Sequence, residues 1–104
     1  MKKYATFAIV FAAALGGCSD SSSDRVIADY NNNCKACHAG GINGAPILGN
    51  KKMWQPRLSR DETTLIAHAN NGFGLMPAKG GSSLSDAHVA DIVRMMISRV
   101  STSN

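Results

Sequence analysis

Four stretches of the chain carry apolar residues at helical spacing, and the segments between them do not. Val26, Ile27, Tyr30 and Cys34 recur at intervals of roughly one helical turn, which predicts a first helix over residues 25–38 with Asp24 as its N-cap. A short helix fits residues 51–59, limited by Pro56. A clearer one covers residues 62–70, capped by Asp61 or Ser59 and closed by Asn70-Asn71-Gly72. The last, over residues 86–98, is capped by Ser85 and lines up Val89, Ile92, Val93, Met96, Ile97 and Val100 on one face. Residues 40–49 and 73–83 are rich in glycine and read as loops. Nothing alternates with period two for long, so no strands are expected. The pattern predicts an all-α fold of about four short helices joined by long loops.

The hydrophobic pattern at the N-terminus differs in kind. Met1-Lys2-Lys3 is a short basic lead, and residues 4–15 form an apolar run. That run is too short to span a bilayer as a mature helix, but it has the flanks of a secretory signal. Leu15-Gly16-Gly17-Cys18 resembles the bacterial lipobox, in which the cysteine is lipidated and becomes the first mature residue. An ordinary cleavage site with an incidental cysteine is the plainer alternative. The expected organisation is therefore a lipoprotein signal peptide over 1–17, a lipidated Cys18 with a flexible polar tether through 24, and one folded domain over 25–104. The tether, Ser-Asp-Ser-Ser-Ser-Asp, would reach at most roughly 20 Å when extended. By resemblance to that class, Cys18 carries several acyl chains, which anchor stably where one would not. Ser19 after the cysteine slightly favours the outer membrane over the inner one, on the periplasmic side.

Charge then removes one class of function. The formal net charge is +4, and losing Lys2 and Lys3 with the signal leaves 9 basic against 7 acidic residues. No basic run interleaves with aromatics, so nucleic-acid binding is not expected.

The strongest chemical signal is Cys34-Lys35-Ala36-Cys37-His38. Its C-x-x-C-H spacing places two thiols on one helical turn, where both can form thioethers with the vinyl groups of one porphyrin edge. The next histidine then lies close under the iron. Two plainer readings compete: a redox dithiol and half of a zinc site. The first calls for a βαβ context and the second for another ligand pair, and the sequence offers neither. With two cysteines assigned to one covalent haem c, Cys18 has no disulfide partner in the chain. The haem also explains the loops, since a large apolar plate gives glycine-rich segments something to pack against.

His38 fills one axial position of the iron. Candidates for the other are Met53, Met76, Met95, Met96, His68 and His88. Met76 is preferred because it lies in the loop Gly74-Leu75-Met76-Pro77, where Pro77 biases it toward an extended backbone. Met53 and Met96 read as core packing. His68 and His88 lie on amphipathic helices and read as rim or solvated residues.

These features together resemble a class I c-type cytochrome of the cytochrome c₅ group. The likeness rests on the C-x-x-C-H motif, Gly44-Ala45-Pro46, Trp54 with Arg57, Met76-Pro77-Ala78-Lys79-Gly80-Gly81 and Ser85-Asp86. It runs from about residue 25 to residue 99. The resemblance implies that Cys34 and Cys37 bind haem covalently and that His38 and Met76 ligate its iron. It also implies that the Pro46 carbonyl meets the other nitrogen of His38, and that Trp54 and Arg57 lie against the haem and its propionates. Two departures stand out. Some members carry an extra cysteine pair after the methionine loop, where this chain has Ser82 and Ser85. Many have an aromatic where Met95 stands, so packing of the last helix on the first is expected to be softer.

The function implied is one-electron transfer between redox protein partners, with no catalytic residues and no small-molecule substrate. Lys35, Lys51, Lys52 and Lys79 flank the ligand segments and could form a basic rim for acidic partners. Two alternatives stay open: a haem enzyme or gas sensor with a labile methionine, and a haem-bearing subunit of an oxidase or reductase.

Overall fold

The last helix organises the molecule. In the computed structural model, which describes residue 6 and residues 18–102, α5 spans Asp86–Thr102 and buries Val89, Ala90, Ile92, Val93, Met96 and Val100. The remaining helices are α1 (Cys18–Asn33), α2 (Lys35–His38), α3 (Lys51–Trp54) and α4 (Glu62–Asn71). Three 3₁₀ turns punctuate the loops at Ile42–Gly44, Arg57–Ser59 and Ala78–Gly81. Among the described residues there is no strand, only an isolated bridge between Phe73 and Met76. The fold is all-α, as the sequence pattern implies.

The stripe on α5 meets two partners. Ile92, Met96 and Val100 pack with Val26 and Tyr30 of α1 and with Trp54. Val89 and Val93 pack with Ala69 of α4. Leu84 and Ile97 touch both groups, which makes one continuous core. Burial of these side chains supplies most of the stabilisation, at roughly 25 cal/mol per Å² of apolar surface. Met95 also packs against the first group, at the position noted for its missing aromatic.

Polar contacts fix how the helices cross. Arg25 donates to Asp29 at 3.0 Å and across to Asp91 on α5 at 2.7 Å. Arg94 of α5 donates to Glu62 of α4 at 2.7 Å. These pairs are partly exposed, so each adds little energy and mainly sets register.

Helix boundaries depart from the sequence expectation in four places. First, residues 18–24 are helical, so Asp24 lies inside α1 instead of capping it, and the segment expected as a flexible tether is part of the helix. Val26, Tyr30 and Arg25 anchor this helix on α5, and once nucleated it propagates backwards at little cost. Second, the expected helix over 25–38 breaks at Cys34, whose φ of −122° leaves the helical range. Just before it, the Asn33 side-chain amide donates to the Asp29 carbonyl at 3.0 Å, while Cys34 N–H still completes the ladder to the Tyr30 carbonyl at 2.9 Å. Third, the 51–59 segment splits at Pro56 into α3 and a 3₁₀ turn, with Asn50 capping α3 by accepting from the Met53 N–H at 3.0 Å. Fourth, α5 continues past residue 98 because Val100, 3% exposed, extends the apolar stripe. The other caps are where the sequence puts them: Asp61 accepts from Thr64 N–H at 2.8 Å, and Ser85 from His88 N–H at 3.1 Å.

Candidate cofactor site

A cavity of about 350 Å³ opens between α5, α4 and the two glycine-rich loops. Its floor is the apolar face of α5, with Val89, Ile92, Val93 and Met96. Cys34, Cys37 and His38 line it from one side and Met76 from another. The residues that the two loops contribute are thus cavity walls. A predominantly apolar slot with two cysteines, a histidine and a methionine on its walls suits a covalently held metalloporphyrin.

The histidine side is built locally. His38 N–H donates to the Cys34 carbonyl at 3.1 Å, which makes Cys34 to His38 one helical turn. Cys34 is half-buried and Cys37 is exposed. Burial pushes the Cys34 thiol above its ordinary pKa, and the Asp29 carboxylate adds to the effect. A redox-active dithiol requires the opposite shift. Among the described residues, no three His, Cys, Asp or Glu side chains gather to hold a metal ion by themselves, as a zinc site would require.

Pro46 sits against the far side of the imidazole. Its carbonyl is 2.9 Å from His38 Nδ1. A carbonyl can only accept, so Nδ1 carries the proton and Nε2 keeps its lone pair free for a metal. The backbone returns here because Leu48 N–H donates to the His38 carbonyl at 2.9 Å.

Trp54 is 5% exposed and spends its indole N–H on the Ile47 carbonyl at 2.9 Å. It lines the cavity as an apolar wall that also pins the Pro46 loop. Arg57 lines the cavity too, and donates to the Met53 carbonyl at 2.6 Å and to the Gly44 carbonyl at 3.4 Å. The second contact is long, which leaves that part of the guanidinium open to an anion.

Met76 is half-buried beside the Ala69, Val89 and Val93 cluster. Its N–H donates to the Phe73 carbonyl and its carbonyl accepts from Phe73 N–H, both at 2.9 Å. The four residues from Phe73 to Met76 therefore form a closed turn. Of the other methionines and histidines, Met96 lies on the cavity floor and in the core, and Met95 packs against that core. His88 faces away, 3.6 Å from Asp29, while Met53 does not line the cavity.

His68 is a half-buried residue at the cavity rim. It lines the cavity and stacks on Phe73, with ring centroids 3.9 Å apart and planes within 13°. Arg60 covers the same phenyl ring at 5.6 Å from its centroid. Phe73, Leu75 and Ile42 are exposed hydrophobics at the mouth of the cavity. Sequence reading passed over all three. An apolar residue inside a glycine-rich loop was the available signal.

The family model for cytochrome c oxidase, cbb3-type, subunit III, matches residues 23–96. Cytochrome c-555 of Chlorobaculum tepidum is 36% identical over 104 residues, which covers 93% of this chain and 96% of that protein. Cytochrome c5 of Ectopseudomonas mendocina is 33% identical over 88 residues, 82% of this chain and 97% of that one. Among solved structures, a chain of the electron transfer complex of nitrite reductase with cytochrome c superposes with a TM-score of 0.69. It is 33% identical and covers 73% of this chain and 94% of that one. The chain belongs to the class I c-type cytochromes, of the cytochrome c5 type, and carries a single covalent haem c.

Proposed function

We propose that this cytochrome is a membrane-tethered one-electron carrier whose haem is held by Cys34 and Cys37 and ligated by His38 and Met76. The observation that carries the reading is the arrangement of the cavity walls. His38 has Nδ1 committed to Pro46, which leaves Nε2 for the iron, and Met76 lines the same apolar slot from a closed turn. The haem supplies an iron that changes charge by one electron, and a methionine ligand raises its potential relative to a second histidine. The chain supplies everything else. Trp54 and the α5 face exclude water, Arg57 at the cavity rim can meet a propionate, and the thiols fix the ring.

The tether in this proposal is a lipid on Cys18, at the periplasmic face of a bacterial membrane, with the outer membrane slightly favoured. It rests on the lipobox-like Leu15-Gly16-Gly17-Cys18 and on the absence of another thiol role for Cys18 in the chain. Residues 1–17 apart from Thr6 lie outside the described residues. Among those described, no helix is long and apolar enough to cross a membrane. With residues 18–24 helical, the domain would stand roughly 10 Å above its anchor, at 1.5 Å per residue.

The partners proposed are redox proteins. A complex between nitrite reductase and a related cytochrome supports that class of partner. Lys35, Lys51 and Lys52 are exposed and free to form a rim for an acidic surface, whereas Lys79 is paired with Asp86 at 2.8 Å.

Mass spectrometry of the mature protein and a Met76→Ala variant test the reading together. One haem plus acyl chains on Cys18 is the expected mass; a mature chain with an unmodified Cys18 refutes the tether. In the oxidised protein, Met76→Ala should abolish the far-red methionine-to-iron band and open the reduced iron to carbon monoxide. A band that survives the substitution removes Met76 as ligand. Rapid carbon monoxide binding by the unaltered protein would favour catalysis or gas sensing. One observation favours a second reading, as a subunit of a larger oxidase: the family model that matches is named for one. Gentle membrane extraction separates the two, since a carrier comes out alone and a subunit comes out in a stable complex.

A further inference from the structure

Phe73 is an oddly placed aromatic. It is 52% exposed, yet it is gripped by two side chains, the stacked His68 ring and the Arg60 guanidinium. What Phe73 does hold is Met76. The two residues exchange both backbone hydrogen bonds at 2.9 Å, so the position of the Phe73 backbone sets the position of the Met76 backbone.

We infer that Phe73 is a positioning residue for the Met76 ligand, clamped to α4 by the stack with His68. The inference rests on Met76 being the ligand, as proposed above. The physical chain has three links. α4 is anchored in the core through Ala69 next to His68, and so provides a fixed base. The nearly parallel stack ties the Phe73 ring to that base, and Arg60 adds a cation against the ring. The paired backbone bonds then pass the restraint to Met76. The turn contains Gly74 and Leu75, which line the cavity, and Met76 itself packs beside Ala69, Val89 and Val93. The clamp adds a further restraint on the Met76 backbone.

The contacts predict an effect on ligand exchange rather than on folding. A partly exposed stack and a neighbouring cation at this distance imply a loss of roughly two- to tenfold in preference for the native methionine-bound state. The probe is imidazole, which competes with methionine for the oxidised iron. Four variants of the haem-loaded protein are compared: Phe73→Leu, Phe73→Tyr, His68→Ala and His68→Phe. Phe73→Leu keeps apolar cover over the cavity mouth but removes the stack. His68→Ala keeps Phe73 and removes its base. Both should bind imidazole roughly two- to tenfold more tightly and lose the far-red methionine band at lower temperature, with the far-ultraviolet dichroism of the helices little changed. Phe73→Tyr and His68→Phe keep a ring on each side and should restore unaltered behaviour.

If Phe73→Leu and His68→Ala bind imidazole as the unaltered protein does, the positioning role is refuted. It is equally refuted if His68→Phe fails to rescue, because the stack would then not be the cause. Met76→Ala keeps the two failures apart. If the band survives that change, the ligand assignment falls and this inference with it. If the band disappears there while the Phe73 and His68 variants behave normally, only the positioning role falls.

Discussion

Gly72 closes α4 just before the Met76 turn, and replacing it with alanine tests whether that turn is held by geometry or merely by length. Its backbone sits at φ 89° and ψ 152°, a region that is essentially closed to residues with a Cβ. Holding alanine there costs about 1–3 kcal/mol. The new methyl would also lie 3.1 Å from the Met76 carbonyl oxygen, 3.1 Å from Ala78 N and 3.4 Å from Pro77 C. All three are backbone atoms, and the Met76 oxygen is already bonded to Phe73 N–H at 2.9 Å. They cannot rotate away as a side chain could, so overpacking adds about 1–3 kcal/mol. Alanine restricts the unfolded chain and returns about 0.4–1 kcal/mol. The net loss is about 1–5 kcal/mol, with a domain of this size losing about 4–8 °C in melting temperature for each kcal/mol.

Gly74→Ala is the matched control. Gly74 also has positive φ, 58°, but nothing lies within 4 Å of its would-be Cβ. It should lose about 0–3 kcal/mol, since backbone strain of about 1–3 kcal/mol is partly offset in the unfolded chain and no overpacking is added. Thermal melts of the two oxidised holoproteins, followed by far-ultraviolet dichroism and by the far-red methionine band, give the comparison. Gly72→Ala should melt well below Gly74→Ala and lose the band before the helices. Equal melting temperatures would refute the claim that the backbone packed against Gly72 fixes the Met76 turn.

Two further substitutions probe the frame. Ile92 is 2% exposed, lies in the core and forms part of the cavity floor, so Ile92→Ala should cost about 2–5 kcal/mol in a denaturant titration of the holoprotein. A cost below about 1 kcal/mol would mean that the haem, not α5, bears the packing there. Asp61 has its carboxyl pKa lowered by side-chain and then backbone hydrogen bonds from Thr64. A folded pKa below the unfolded value of about 3.9 makes its cap fully stabilising above that value and lost as pH falls through the lowered one. Asp61→Asn keeps an acceptor without the titration, so the melting-temperature gap between the two proteins should narrow on acidification from pH 5. A gap independent of pH would show that the charge contributes nothing.

How much of this was legible follows from the range of each interaction. The apolar stripe of α5 was readable because a helix repeats its face every turn, and the cap residues Asp61 and Ser85 because capping is local. The C-x-x-C-H turn was readable for the same reason. The helical state of residues 18–24 was not, since their composition is polar and their order comes from α1 docking on α5 through Val26, Tyr30 and Arg25. The break at Cys34 is a change of backbone dihedral at one residue, which spacing does not encode. The stack of His68 on Phe73 joins the body of a helix to the loop beyond it. In sequence it is only a histidine on an amphipathic helix and an aromatic among glycines.

The two axial sides of the cavity are built by different means. On the histidine side the main restraints span ten residues or fewer: His38 to Cys34, His38 to Pro46, Leu48 to His38 and Trp54 to Ile47. Such contacts form early and cost little loop closure. Positive φ occurs on both sides, at Gly41, Asn43, Gly44 and Gly49 after His38 and at Gly72, Gly74, Lys79, Gly80 and Gly81 around Met76, with Lys79 at 57°. Lys79 is held there with its ammonium 2.8 Å from an exposed Asp86 carboxylate, a pair that stabilises only weakly. A one-electron carrier needs a ligand set that does not rearrange when the iron changes charge. The histidine side is held largely by its own local bonds, whereas the methionine side is tied to α4 through Gly72, the packing of Met76 beside Ala69, and the His68–Phe73 stack.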